Sequence, residues 1–189
     1  MPAPTLFTLP HFLTADECRA LISRGESLGF EAASVSTAAG PQMLTNVRNN
    51  DRVTFDDPAY ATALWPRILP HLPPADDNAE PTGLNERFRF YRYDPSQRFK
   101  GHRDGVVSRS PSEQTRLTFM IYLNDDCQGG ETNFYSEDRA AGLRQLVTSV
   151  RPATGTALCF AHEWWHEGAP VTAGRKYVLR TDIFYRQPT

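Results

Sequence analysis

The apolar positions of the chain follow two periods, and the change between them falls near residue 84. Before it, the clearest patterns are helical. Thr14-Ala-Asp-Glu17 reads as a capping box, with Thr14 as N-cap and Glu17 at the third helical position. Cys18, Leu21, Ile22 and Leu28 follow at helical spacing, which predicts an amphipathic helix of about three to four turns that stops at Gly29. A second helix is expected from Asp56-Asp57-Pro58, where an Asp cap precedes Pro in the first turn. Ala61, Leu64, Trp65, Ile68 and Leu69 share one side of it, and Pro66 inside the pattern predicts a kink or an early break. Around these helices, Leu6–Leu9 looks like an opening strand, residues 32–45 like a mobile loop, 46–55 like a polar strand and 73–78 like a turn-rich connector.

From Leu84 the period is two and stays so to the end. Strands are expected over 86–93, 98–104, 115–123, 131–135, 145–150, 156–161 and 175–185. Helices followed by a long series of strands predict a mainly β, α+β fold. Its form would be an N-terminal helical layer supporting a jelly-roll barrel, a double-stranded β-helix. We expect one domain over residues 1–189, with a helical lead-in at about 1–75 and a jelly-roll core at about 84–186. Three strands carry one oily face and one polar face. Leu117, Phe119, Ile121 and Leu123 alternate with Thr118, Met120 and Tyr122. Tyr177, Leu179 and Ile183 alternate with Lys176, Val178, Arg180 and Asp182, and Phe88 and Phe90 with Arg87, Arg89, Tyr91 and Tyr93. Such polar faces are either solvated or line a barrel whose interior holds a metal and a charged ligand.

Composition narrows the partners. A formal charge of −2 gives no electrostatic case for nucleic acid or an anionic membrane. No apolar run reaches the length of a membrane span, and the start lacks the pattern of a signal peptide; with few cysteines, a cytoplasmic, reducing location is the expected default. Cys18, Cys127 and Cys159 are odd in number and free of any C-x-x-C pair, which argues against a disulfide framework and a structural zinc site.

The chemistry concentrates at His102-Arg103-Asp104 and His166-Glu167-Gly168. Two histidines and a carboxylate form the facial triad that suits non-heme Fe(II), because it leaves other coordination positions open. Residues two apart on a strand share a face, so His102 and Asp104 are expected to reach one ion from a single strand, with the third ligand from a distant one. His162 is a rival for His166, and Lys176 and Arg180 fall on one face of the last strand as alternative anchors for a dicarboxylate.

The surrounding series is Tyr91-Arg-Tyr93, Gln97-Arg-Phe99-Lys-Gly-His102-Arg-Asp104, Tyr122-Leu-Asn-Asp, Gly129-Gly130-Glu131-Thr132 and His166-Glu-Gly168-Ala-Pro170-Val171-Thr-Ala-Gly174-Arg-Lys176. It resembles the prolyl 4-hydroxylase-like branch of the Fe(II)/2-oxoglutarate dioxygenases. The resemblance covers about residues 86–186 and extends to the lead-in Phe12-Leu13-Thr-Ala-Asp-Glu-Cys18. It implies Fe(II) held by His102, Asp104 and His166, and 2-oxoglutarate held by Lys176, with Tyr93 and Tyr122 as hydroxyl donors and Arg180 as a second contact. It further implies O2 as co-reactant, ascorbate as a candidate reductant, and decarboxylation of 2-oxoglutarate to succinate and CO2 coupled to hydroxylation. The substrate would be a protein or peptide residue, proline by family, or a free small molecule such as an amino acid. A cupin-like module that binds metal without catalysis is the competing reading; Lys176 argues against it. Further expectations are a lid at 105–114, a packing role for Cys159 and His162, turn chemistry at Thr132, and either solvated edge or substrate contact for Arg48, Asn49, Asn50 and Arg52.

Overall fold

The computed structural model describes residues 5–37, 40–74, 78–138 and 141–188. The fold is a mainly antiparallel β-structure, a double-stranded β-helix, with two α-helices among the described residues. The larger sheet runs, in spatial order, Leu6–Leu9, Ala157–Ala161, Glu113–Tyr122, Lys176–Arg186, Arg87–Tyr93, Asp51–Asp56 and Glu31–Ala32. The smaller sheet runs Leu143–Val150, Thr132–Asp138, Trp165–Gly168 and Phe99–His102. No helix among the described residues is long and apolar enough to cross a membrane.

The alternation in the central strands sorts their side chains. Phe88, Phe90 and Phe119 face the helical layer, where Tyr60 meets Phe88, Phe12 meets Phe119, and Gly25 lies close against Phe90. Helix α1, Ala15–Leu28, carries the expected reciprocal cap: Glu17 N–H donates to Thr14 Oγ1 and Thr14 N–H to Glu17 Oε2. It stops where Gly29 adopts φ +82°. Helix α2, Pro58–Ile68, is capped by Asp57, which accepts from Tyr60 N–H at 2.9 Å. It runs through Pro66, and a 3-10 turn Leu69–His71 follows. Buried Leu64 and Ile68 bracket the proline and seat its last turn in the core, which offsets the lost hydrogen bond.

Other boundaries differ from expectation. The segment 32–45 is not a plain loop, since Val35–Thr37 pairs with Gly40–Gln42, where Gly40 takes φ +97°; residues 38–39 lie outside the described residues, as do 75–77 of the connector. The polar strand begins only at Asp51, because residues 47–49 pair with 98–100 through Lys100 N–H to Val47 C=O and Asn49 N–H to Arg98 C=O. The Phe99–His102 strand ends before Asp104.

The lead-in is clamped to the barrel at Gly155. Leu13 N–H donates to Gly155 C=O at 3.0 Å, and Gly155 N–H donates to Tyr122 C=O at 2.9 Å. Gly155 has φ +76°, and a Cβ there would lie 2.0 Å from Leu13 O. Gly155→Ala is therefore expected to lower unfolding free energy by about 2 kcal/mol or more, from left-handed strain alone plus the displaced carbonyl, measured by urea titration.

Candidate metal centre

His102 and His166 meet because Phe99–His102 and Trp165–Gly168 pair antiparallel with these two residues opposite each other. Their ring centroids lie 4.3 Å apart. The same device orients both rings: His102 Nδ1 bonds Lys100 O at 2.8 Å, and His166 Nδ1 bonds Trp164 O at 3.0 Å. A carbonyl can only accept, so each Nδ1 carries the proton and each Nε2 presents a lone pair. Those Nε2 atoms sit 3.6 Å and 3.7 Å from the two carboxylate oxygens of Asp104. One ligand atom from each of the three residues falls within 4.8 Å of the others.

Asp104 lies two residues beyond the strand, so it is not presented by strand alternation as the spacing suggests. Two neighbours hold it instead: Thr118 Oγ1 donates to Oδ2 at 2.5 Å, and Arg180 Nη1 pairs with Oδ1 at 2.9 Å. Burial alone would raise the Asp104 carboxyl, but the Arg180 guanidinium and the two histidines hold it well below the usual carboxylate range. Burial pushes the His166 imidazole down to about 4 against the pull of Asp104. A neutral imidazole and an ionised carboxylate are the metal-binding forms of these groups. Two imidazoles and one carboxylate, gathered on one side of a small cavity, fit non-heme Fe(II). His162 is buried elsewhere, with Nε2 3.6 Å from Asp182 Oδ1.

Beside the triad is a cavity of about 40 Å³ whose wall includes Tyr93, Thr118, Thr132, Lys176, Val178 and Arg180. Lys176 is 2% exposed. Its Nζ donates to Gly130 C=O at 2.5 Å and stands 5.0 Å from the Tyr93 ring centre and 5.4 Å from that of Tyr122. No carboxylate among the described residues pairs with it, and burial pushes its pKa from 10.5 down to about 8. Arg180, by contrast, is already engaged, by Asp104 and by Asp182 at 3.0 Å. Arg175 points away from the cavity and pairs with Asp94 at 2.5 Å. Tyr122 stands one layer back, with its hydroxyl 2.7 Å from Thr132 Oγ1; Thr132, read from sequence as turn chemistry, reaches the wall. The polar faces of the three central strands thus line the interior.

A second, larger cleft of about 480 Å³ shares His102, Asp104 and Arg180 with the first. Residues 105–107 border it, while Arg109 instead turns to Glu86, 2.6 Å away. Cys159 is core, and Trp164 packs on Phe134.

A family profile described as the 2OG-Fe(II) oxygenase superfamily matches residues 88–182. The chain belongs to that superfamily and is an oxidoreductase that uses Fe(II) and 2-oxoglutarate. Its similarities run to prolyl hydroxylases. It is 24% identical to "Probable prolyl 4-hydroxylase 9" of Arabidopsis thaliana over 199 residues, covering 93% of this chain and 67% of that protein. The fold is shared with the viral collagen prolyl hydroxylase of Paramecium Bursaria Chlorella virus-1 in its 2OG complex, at TM-score 0.61 and 21% identity over 95% of each chain. It is shared also with a Trichoplax adhaerens prolyl hydroxylase in complex with a hypoxia inducible factor peptide fragment, at TM-score 0.66 and 16% identity over 96% of this chain and 83% of that one.

The buried ammonium has a measurable consequence for stability. Its folded-state pKa lies below the unfolded one, so burial of the cation opposes folding fully below pH 8 and progressively less as pH rises toward 10.5. Lys176→Met should therefore stabilise the ligand-free protein at pH 7, by up to about 3 kcal/mol. The gain should shrink with rising pH, as followed by denaturant unfolding across pH 7–10.

Proposed function

We propose that His102, Asp104 and His166 hold Fe(II), and that Lys176 anchors the distal carboxylate of 2-oxoglutarate in the 40 Å³ cavity. The enzyme then hydroxylates an unactivated C–H of a peptidyl residue, proline by likeness to its relatives. The overall balance is R–H + 2-oxoglutarate + O2 → R–OH + succinate + CO2. The observation that carries this reading is the buried Lys176 ammonium, without a carboxylate partner among the described residues, sharing one cavity with the triad. A metal-binding module without a cosubstrate has no use for that charge.

Bound iron supplies the activation of O2 that couples keto-acid decarboxylation to C–H oxidation. The chain's own residues do the positioning. The Lys100 and Trp164 carbonyls fix the imidazole tautomers. Thr118 and Arg180 fix the Asp104 carboxylate and keep it ionised. Lys176, held by Gly130 C=O between two phenol rings, offers its remaining N–H donors to a carboxylate, and Tyr93 closes the cavity beside it. Arg180, already shared by two aspartates, supports the metal ligand rather than the cosubstrate.

The test is direct. Purified protein should bind one Fe(II) and, on anaerobic addition of 2-oxoglutarate, give the weak visible charge-transfer band of a chelated keto acid. His166→Ala should abolish iron binding, whereas His162→Ala should keep it; the reverse pattern overturns the third-ligand assignment. With candidate peptides and air, succinate release and a 16-dalton mass gain should follow.

Removing one partner of a buried charge pair costs roughly 2–5 kcal/mol, so Lys176→Ala should weaken 2-oxoglutarate binding by about 30-fold or more and leave Fe(II) binding in place. Because the free ammonium loses its proton near pH 8, the dissociation constant should be flat below that pH. Above it, the constant should rise about tenfold per pH unit. Lys176→Arg, where binding survives, should lose this dependence. A large loss in Arg180→Ala with unaltered iron, and none in Lys176→Ala, would place the anchor at Arg180.

A further inference from the structure

The larger cleft beside His102 and Asp104 carries an excess of positive charge. Arg48, Arg52, Arg89 and Arg180 all line it. Arg89 and Arg180 share Asp182, at 3.2 Å and 3.0 Å. Arg48 and Arg52 have no acidic partner among the described residues. Arg52 is half-buried, and its guanidinium donates to the Ser34 hydroxyl at 3.2 Å.

Arg48 is the sharper case, because it is 4% exposed. Its guanidinium stands over two rings, 4.6 Å from the centre of Tyr91 and 4.4 Å from that of Phe99. Its Nε donates to Asn50 Oδ1 at 2.7 Å. Its Nη2 is buried with no hydrogen-bond partner among the described residues. A charged donor left unsatisfied in the interior is costly, and native proteins keep few of them. The group is also rigidly placed relative to the metal ligands. Arg48 bridges to Phe99, and Lys100 N–H bonds Val47 C=O, both on the strand that ends in His102.

The potential in the cleft is visible in its neighbours. Burial would raise the Tyr91 phenol, yet Arg180, Arg48 and Arg89 bring it below its ordinary value. Burial lowers the Arg52 guanidinium, and Arg48, Arg89 and Arg180 lower it further. Val35, Val106 and Val107 supply apolar wall. A cleft of this kind fits an organic anion with a flat, two-oxygen head, since the guanidinium fork matches a carboxylate and the valines match carbon.

We propose that the substrate of this enzyme carries a carboxylate, held in the cleft by Arg48 with Arg52 beside it, so that the carbon to be hydroxylated lies over the triad. The proposal rests on the hydroxylase reading and narrows its substrate class. The carboxylate comes either from an acidic residue next to the target in a peptide or from a free acid such as an amino acid.

Two matched pairs separate the sources: a prolyl peptide with Glu beside the target proline against the same peptide with Gln, and L-proline against L-prolinamide. Each is measured on iron-loaded protein with 2-oxoglutarate, by calorimetry without oxygen and by turnover in air. In one pair the acid should bind about 10- to 100-fold more tightly than its amide partner, and that pair names the source. The preference should weaken with added salt. Arg48→Gln should remove it, and Arg52→Gln, at a more exposed position that tolerates change, should reduce it. If neither acid binds above its amide partner while 2-oxoglutarate still binds and is converted to succinate, this inference falls and the oxygenase reading stands. Failure to bind 2-oxoglutarate sinks the oxygenase reading itself. A preference for phosphoserine over glutamate at the same peptide position would replace the carboxylate by a phosphate.

Discussion

Everything at this site depends on the pairing that sets His166 opposite His102. The period of a strand is two, so a slip of one residue would turn His166 away and bring Trp165 or Glu167 inward. The register is held from both sides. Thr132–Asp138 pairs with the other edge of the Trp165–Gly168 strand, placing Phe134 opposite His166. Gly101 lets the two ligand strands close, since a Cβ there would come within 2.4 Å of Trp165 Nε1. A short strand with little apolar content of its own is thus locked by its neighbours.

Around that pairing the barrel reverses the usual distribution of polarity. The oily faces of the long strands point outward to α1 and α2, and the inward faces carry hydroxyls, imidazoles and cations. Such an interior is tolerable only because almost every charge in it is answered. Arg180 answers Asp104 and Asp182, Arg89 answers Asp182, and Thr118 adds a hydrogen bond to Asp104. Among the described residues the exceptions are Lys176 at the small cavity and Arg48 and Arg52 at the larger cleft. A cation buried without a carboxylate costs folding free energy, so these positions hold stability in reserve.

The long strands were legible because alternation over seven or more residues leaves a clear period, as in Arg87–Tyr93, Glu113–Tyr122 and Lys176–Arg186. The two-faced reading of those strands matches the pocket wall. The Trp165–Gly168 strand was missed, because four residues of mixed polarity show no period and their conformation comes from the partners on each side. The same applies to Glu80–Leu84, where Pro81 and Gly83 argue locally against a strand. At Pro66 a kink or an early break was expected; the early break does not occur, because the burial of Ile68 outweighs the local propensity. At the site, His102, Asp104, His166 and Lys176 were named by motif, and the structure brings them round one cavity. Thr118 and the Gly130 carbonyl were not, since a hydroxyl or a backbone oxygen acquires a role only through its position in space. Arg48 was left undecided between solvent and substrate for the same reason, and its burial between two rings is a tertiary fact.

Arg180 has one more property, which follows from its place. It lines both the small cavity beside Lys176 and the larger cleft beside Arg48, so a single side chain forms a party wall between two compartments. Its guanidinium is held by Asp104, Asp182 and Thr118, so both compartments share a wall whose position the fold itself sets, and a substitution at this one position would reshape the two together.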